Sequence, residues 1–303
     1  MTPPAEDDRR RTRPWGRIGR APTAVLVALS GAVVAVVLGR RRVDRAVERR
    51  VDDLLAAADS PADRRFTRDD LAALPAPVRR YLSHVLTDGR PRVRTVRLRQ
   101  RGAIRLGGAG GRWRPFVATQ HVTTRPPGFV WDATVVLVPP LSVRVLDASE
   151  RGEGRLRARL LGVLPVARAG PDPRMNEGEL LRYLAEAVWY PTALLPAGGV
   201  AWEAIDDRSA RATLHHRGVT ASVVFRFDDG DEVERVTAER YRAETDRYEP
   251  WTGRFRTYRD RDGIRVPVEA AVGWGPDGGD RYWRGTIEGI EYGGSEVVAG
   301  DEG

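Results

Sequence analysis

Hydrophobic positions along this chain fall into three successive patterns: an unbroken run, a short helical period and a long stretch of alternation. The run is Ala21 to Gly39, carried by Val25, Leu26, Val27, Leu29, Val33, Val34, Val36, Val37 and Leu38 without an intervening charge. At 1.5 Å per residue it spans about 28 Å, close to the roughly 30 Å hydrocarbon core of a bilayer. Arg17 and Arg20 precede it, and Arg40, Arg41 and Arg42 follow. The expectation is a single membrane-spanning helix over 21–39. A cleaved signal peptide would have a shorter apolar region and a small-residue cleavage site, whereas this run ends in three arginines. Residues 1–20, rich in Pro and Arg, read as a disordered basic tail, and 40–66 as a juxtamembrane linker or helix.

The helical period follows. Thr67-Arg68-Asp69-Asp70 has the hydroxyl cap and acidic first turn of a helix start. From there a helix reads through Pro77, with Val78, Tyr81, Leu82 and Val85 on one face, and Asp88-Gly89 ends it. The period then becomes two. In Val96 to Leu106 most apolar residues stand at even positions and arginines at odd ones, and Gly154 to Leu160 repeats the arrangement. Such alternation marks strands with one buried and one wet face.

Further strands are expected at Gln120–Thr124, Phe129–Leu137, Leu141–Leu146, Ala210–Leu214, Ala221–Phe227, Glu234–Arg242, Phe255–Tyr258, Ile264–Gly273 and Trp283–Tyr292. Asp229-Gly230, Asp262-Gly263 and Asp277-Gly278 supply tight turns between some of them. Connections this short make neighbours antiparallel, hence a meander. One helix interrupts the strands: Asn176 as cap, Glu179 three residues on, Leu180, Leu181, Leu184, Ala187 and Val188 as apolar face, and Pro191 as stop. The expected fold is α+β: a transmembrane helix, then one domain over 67–293 with a large curved antiparallel sheet, half-barrel-like, under two covering helices. Residues 294–303 read as a flexible tail.

Charge sharpens this picture. The formal net charge is +8, and residues 1–50 alone carry 12 Arg against 5 acidic residues. The excess therefore flanks the apolar run, where anionic headgroups attract arginine. The domain is close to neutral, which argues against a nucleic-acid partner. Its arginine rows read as a solvated sheet face paired with carboxylates of neighbouring strands. Lysine and cysteine are both absent, so disulfides and thiolate metal sites are excluded. Flanking arginines are balanced across the run, and the positive-inside rule returns a tie.

Several motifs together resemble an uncharacterised family of bacterial membrane-anchored proteins, a domain of unknown function. They are Leu74-Pro75-Ala76-Pro77-Val78-Arg79-Arg80-Tyr81-Leu82, Val96 to Gly102, Pro127-Gly128-Phe129-Val130-Trp131, Gly178 to Leu184 with Trp189-Tyr190-Pro191, Trp202-Glu203 and Ile264-Arg265-Val266-Pro267. The resemblance covers roughly residues 70–293 and implies no activity. By element order the chain also looks like the lipoprotein-carrier type of half-barrel, whose curved sheet encloses an apolar cavity. That likeness implies an apolar ligand.

Candidate chemistry is sparse. Trp131, Trp189 and Trp202, with Phe116, Phe129 and Leu184, are the residues expected to line an apolar cavity; ordinary core packing is the alternative. Glu179, Arg182, Tyr183 and Glu186 share one helical face and could polarise a bound headgroup, or form an exposed salt-bridged face. His215 and His216, adjacent on a strand, point to opposite faces and cannot readily share a metal. No catalytic motif, metal-ligand spacing or phosphate-cradling loop is present, and no cofactor is expected.

The leading expectation is a non-catalytic, membrane-anchored domain holding a lipid or other apolar ligand in its curved sheet. Handling lipid outside the cytoplasmic membrane favours a single-pass protein with an external domain. A structural or interaction module of the cell envelope is the alternative. A hydrolase-like enzyme built on Glu179 and His121 is third, and it requires both in one pocket.

Overall fold

A computed structural model describes residues 21–58, 65–108 and 110–293, with side chains from residue 30 onward except 32. The tails expected at 1–20 and 294–303 lie outside the described residues. Helix α1 (Ala21–Ala56) is continuous over 36 residues, or about 54 Å. Its second half is amphipathic. Val43, Val47, Val51 and Leu54, at spacings of four and three, pack on Val130, Leu146 and Ala148. Among the described residues no helix is long and apolar enough to cross a membrane, so the span expected over 21–39 is unsupported by them. The side chains of 21–29 and 32 lie outside that description.

A 3-10 turn at Arg68–Leu71 precedes α2 (Ala76–Val85). The continuous helix expected from Thr67 is thus broken. Pro75 disfavours helical backbone at Leu74 and lacks an N–H, whereas Pro77 sits in the tolerated first turn of α2.

Thirteen strands follow: β1 (Thr95–Leu106), β2 (Arg112–Thr123), β3 (Gly128–Val138), β4 (Leu141–Glu150), β5 (Glu153–Leu160), β6 (Leu164–Ala169), β7 (Val200–Asp206), β8 (Ser209–His216), β9 (Val219–Phe227), β10 (Val233–Arg242), β11 (Arg247–Arg261), β12 (Ile264–Trp274) and β13 (Asp280–Gly293). They form one antiparallel sheet, ordered β6-β5-β4-β3-β2-β1-β13-β12-β11-β10-β9-β8-β7. Two meanders meet where the first and last strands pair, with Val96 opposite Tyr292 and Leu98 opposite Ile290. The alternation read in β1 holds: Val96 and Leu98 are buried, and Arg97 and Arg99 both pair with Glu291.

The two edge strands, β6 and β7, are joined by a helical insertion, α3 (Pro173–Glu186) followed by 3-10 turns to Gly198. Helix α3 touches β3, β4 and β5 on one wing and β8, β9 and β10 on the other. The sheet therefore curves around it as a half-barrel. Helix α2 packs against β8 and β12, while α1 packs on the opposite, outer face. Between sheet and helices lies one apolar core including Tyr81, Leu82, Leu184, Trp189, Phe225 and Ile264.

Candidate functional site

Local sequence fixes α3 firmly. Its cap is Asp172, whose Oδ1 accepts from the N–H groups of Arg174 (3.0 Å) and Met175 (3.1 Å). Asn176, expected as the cap, lies one turn inside the helix and accepts from the Gly154 N–H at 2.7 Å. Gly154 permits that approach: a Cβ there would stand 2.8 Å from the Met175 carbonyl oxygen and 2.9 Å from Glu179 Cγ. With α3 pressed onto β5, its Glu179–Arg182–Tyr183–Glu186 face enters the concavity. An exposed salt-bridged face, one of the two readings of this set, is thereby corrected, since Glu179 is only 3% exposed.

Arg182 is the hub. Its Nε donates to Glu186 Oε1 at 2.8 Å and its Nη1 to Asp147 Oδ2 of β4 at 2.7 Å. Its guanidinium lies over the rings of Phe129 (4.6 Å) and Trp131 (5.4 Å), favourable cation–π placements. On one side, Gln120 donates to Glu186 (2.7 Å), Gln100 to Gln120 (3.2 Å), and Trp131 Nε1 to Gln100 (2.8 Å). On the other, Arg240 donates to Glu179 Oε1 (3.3 Å) and to the Tyr282 hydroxyl (3.4 Å). Trp251 Nε1 also donates to that hydroxyl, at 2.9 Å. A polar chain thus crosses the concave face from Trp131 to Trp251.

Three carboxylates share two arginines in this chain. Asp147 Oδ1 and Glu179 Oε2 are buried without a hydrogen-bond partner. Burial, reinforced by the charge of Asp147, pushes the Glu179 carboxyl up to about 8 against the pull of Arg240 and Arg182. Burial also raises Asp147, opposed chiefly by Arg182. For Arg182 burial works against the charge, yet Glu186, Asp147 and Glu179 outweigh it and hold the cation firmly.

The other predicted residues pack densely. Phe116, Phe129, Trp131, Tyr183, Leu184 and Trp189 are all buried in the core, and Trp202 is partly buried against it. Phe116 meets Trp131 edge-on at 5.7 Å. Tyr183 donates to the Thr124 carbonyl, Trp189 to that of Pro267 and Trp202 to that of Leu194. Trp131 and Phe129 thus join Glu179 and Arg182 at the network, while Trp189 and Trp202 sit elsewhere as satisfied core residues. Hollows of 680, 590 and 490 Å³ on the described surface are lined by other residues.

Glu179 and His121 lie on opposite faces of the sheet. His121 pairs beside Arg97 in the outward row, and its neighbour Gln120 points inward, so no pocket joins the proposed acid and base. Among the described residues no group of three or more His, Asp or Glu could hold a metal. Asp147 and Arg240 had no individual signal in the sequence. The one usable trace was a polar residue on the apolar side of an alternating strand: Gln100 and Gln120 both fall there.

The family model described as "Family of unknown function (DUF6544)" matches residues 64–285, and the chain belongs to that family. No curated protein matches it. Among solved structures, a LolA superfamily protein from Nitrosomonas europaea is similar at 12% identity, with 74% of this chain and 90% of that one covered and a TM-score of 0.30. A beta-barrel-like protein of domain of unknown function DUF1849, from Brucella abortus, is similar at 10% identity, covering 68% and 100%, with a TM-score of 0.25.

Proposed function

We propose that this DUF6544 member is a membrane-tethered, non-catalytic binding domain that holds a lipid or other apolar molecule against its concave sheet face. The tether is the apolar run at 21–39, and the domain stands on the external side of a cell membrane. Helix α3, inserted between the two sheet edges, is the element that yields to admit the ligand. One observation carries this reading: a buried ionic network, with two carboxylate oxygens that accept no hydrogen bond, lies among aromatic rings beneath that helix. A core serving stability alone would be as stable or more so with apolar residues of similar volume. Here the network keeps Arg182 and Arg240 at the inner face, where an anionic end group would replace the carboxylates. Glu179 is suited to yield, because its charged form is disfavoured where it stands.

The interaction-module reading has its own support in the filling of the concavity by the chain's own side chains. Native mass spectrometry of the full chain, extracted from membranes in mild detergent and followed by organic extraction, separates the two. A co-purifying lipid in near-stoichiometric amount, depleted in Arg182→Met, is the expected result. A clean apo protein that takes up no added lipid would overturn the binding reading in favour of the interaction module.

A further inference from the structure

The outer half of the molecule carries a feature that ligand binding does not use. Helix α1 runs down the outer face from one rim of the sheet towards the other. At its lower end Leu54 meets Gly128, where a Cβ would stand 3.0 Å from Leu54 Cδ1. At the upper rim it meets the β5–β6 turn: Arg40 Nε donates to the Leu161 carbonyl at 2.7 Å, and a Cβ on Gly39 would stand 2.7 Å from Val163 Cγ1. The 18 helical residues before Gly39 therefore project about 27 Å past this rim. Val33, Val34, Val37 and Leu38 among them are exposed apolar side chains.

The rim itself is apolar. The β3–β4 and β5–β6 turns point the same way, because β3 and β5 run parallel to one another with antiparallel β4 between them. Val138 at the first turn is 61% exposed, and Leu164 and Val166 just after the second are 56% and 55% exposed. Pro139 and Pro140 form the first tip, so it presents no backbone N–H that lipid would leave unsatisfied. Arg41 and Arg42, both exposed, stand at the same level. Apolar tips beside arginines match the boundary between acyl chains and anionic headgroups.

We infer that this rim is a second membrane contact: the β3–β4 and β5–β6 turns seat on the bilayer at the headgroup–acyl boundary, fixing how the domain stands on its tether. The inference rests on reading 21–39 as the membrane span. Because α1 is unbroken from that run to its docking site on the sheet, orientation passes from bilayer to domain without a hinge.

The absence of cysteine makes the test direct, since any introduced cysteine is unique. Full-length Val138→Cys, Leu164→Cys, Val34→Cys and Asp229→Cys variants carry an environment-sensitive fluorophore and are reconstituted in phosphatidylglycerol-containing vesicles with spin-labelled acyl chains. Asp229, in the β9–β10 turn at the far rim, reports the aqueous background. Quenching at positions 138 and 164 several-fold above that at 229 is the expected result. Quenching at 34 with only background at 138 and 164 would overturn the rim contact and leave the tether standing. Background at position 34 as well would overturn both.

Discussion

The Arg182 guanidinium on α3 lies 2.7 Å from the Asp147 carboxylate on β4, and that pair fastens the inserted helix to the inner face of the sheet. Both side chains are largely shielded from water, and Arg182 also holds Glu186 and stacks on Phe129. Arg182 is thus neutralised both from the sheet, by Asp147, and from its own helix, by Glu186.

Arg182→Met should therefore be costly. It leaves Asp147 and Glu186 buried without their cation, and breaking a buried pair from one side costs about 3–5 kcal/mol. Urea unfolding followed by tryptophan fluorescence measures it. Lysine at the same position cannot span Asp147 and Glu186 with a planar fork, so Arg182→Lys should recover only part of the loss. Equal stability of Arg182→Met and the parent would show the network to be energetically idle.

Glu179 gives the protein a distinct pH response. Its carboxyl is raised from 4.5 to about 8, burial first and Asp147 second. Between those values the folded protein holds a proton that the unfolded chain releases, so this group makes stability fall as pH rises. Glu179→Gln fixes the side chain in its neutral form and should flatten that part of the profile. Asp147, also raised by burial, leaves a residual slope of the same sign. Urea midpoints of parent and variant from pH 5 to 9 check this, and parallel profiles would refute it.

Periodicity and turn chemistry make most of the sheet legible in the sequence. Alternation at Val96 to Leu106 located β1 and its wet arginine face, and Asp262-Gly263 marked a turn whose two residues do adopt positive φ. Strands β6 and β7 were missed. In β6 every residue is exposed, so no alternation of burial shaped its sequence. Glu179 and Arg182 were identified as a constellation, but helical spacing does not say whether a charged face meets water or a sheet. The small residue that brings α3 against β5, Gly154, is 25 positions earlier in the chain. Asp147 and Arg240 reach Arg182 and Glu179 from strands far away in sequence, a proximity that only the curvature of the sheet creates.

The glutamine relay predicts a smaller effect. Gln120 accepts from Gln100 and donates to Glu186, with Trp131 donating to Gln100 behind it. Gln120→Leu strands the buried Gln100 amide, an unsatisfied group costing about 1–3 kcal/mol, and removes one donor from the half-buried Glu186, which keeps its bond from Arg182. Gln100→Leu combined with Gln120→Leu removes both amides together and should cost less than the sum of the single variants. A double-mutant cycle by urea unfolding measures the coupling, and strict additivity would mean the two amides act independently.

Docking of α1 is separable from the rest of the core. Val47, Leu54, Val130, Leu146 and Ala148 form their own small cluster on the outer face. The ion pairs of Arg144 with Asp44 and of Arg50 with Glu150 flank it. Exposed or half-exposed ion pairs contribute little, so the apolar cluster holds the helix. Leu54→Ala should cost about 2–3 kcal/mol at this contact while leaving the α3 network intact. Hydrogen exchange over residues 40–56 should then accelerate strongly, with amides of β1 and β13 in the middle of the sheet unchanged. Uniform acceleration throughout the sheet would mean instead that α1 belongs to the same cooperative unit as the half-barrel.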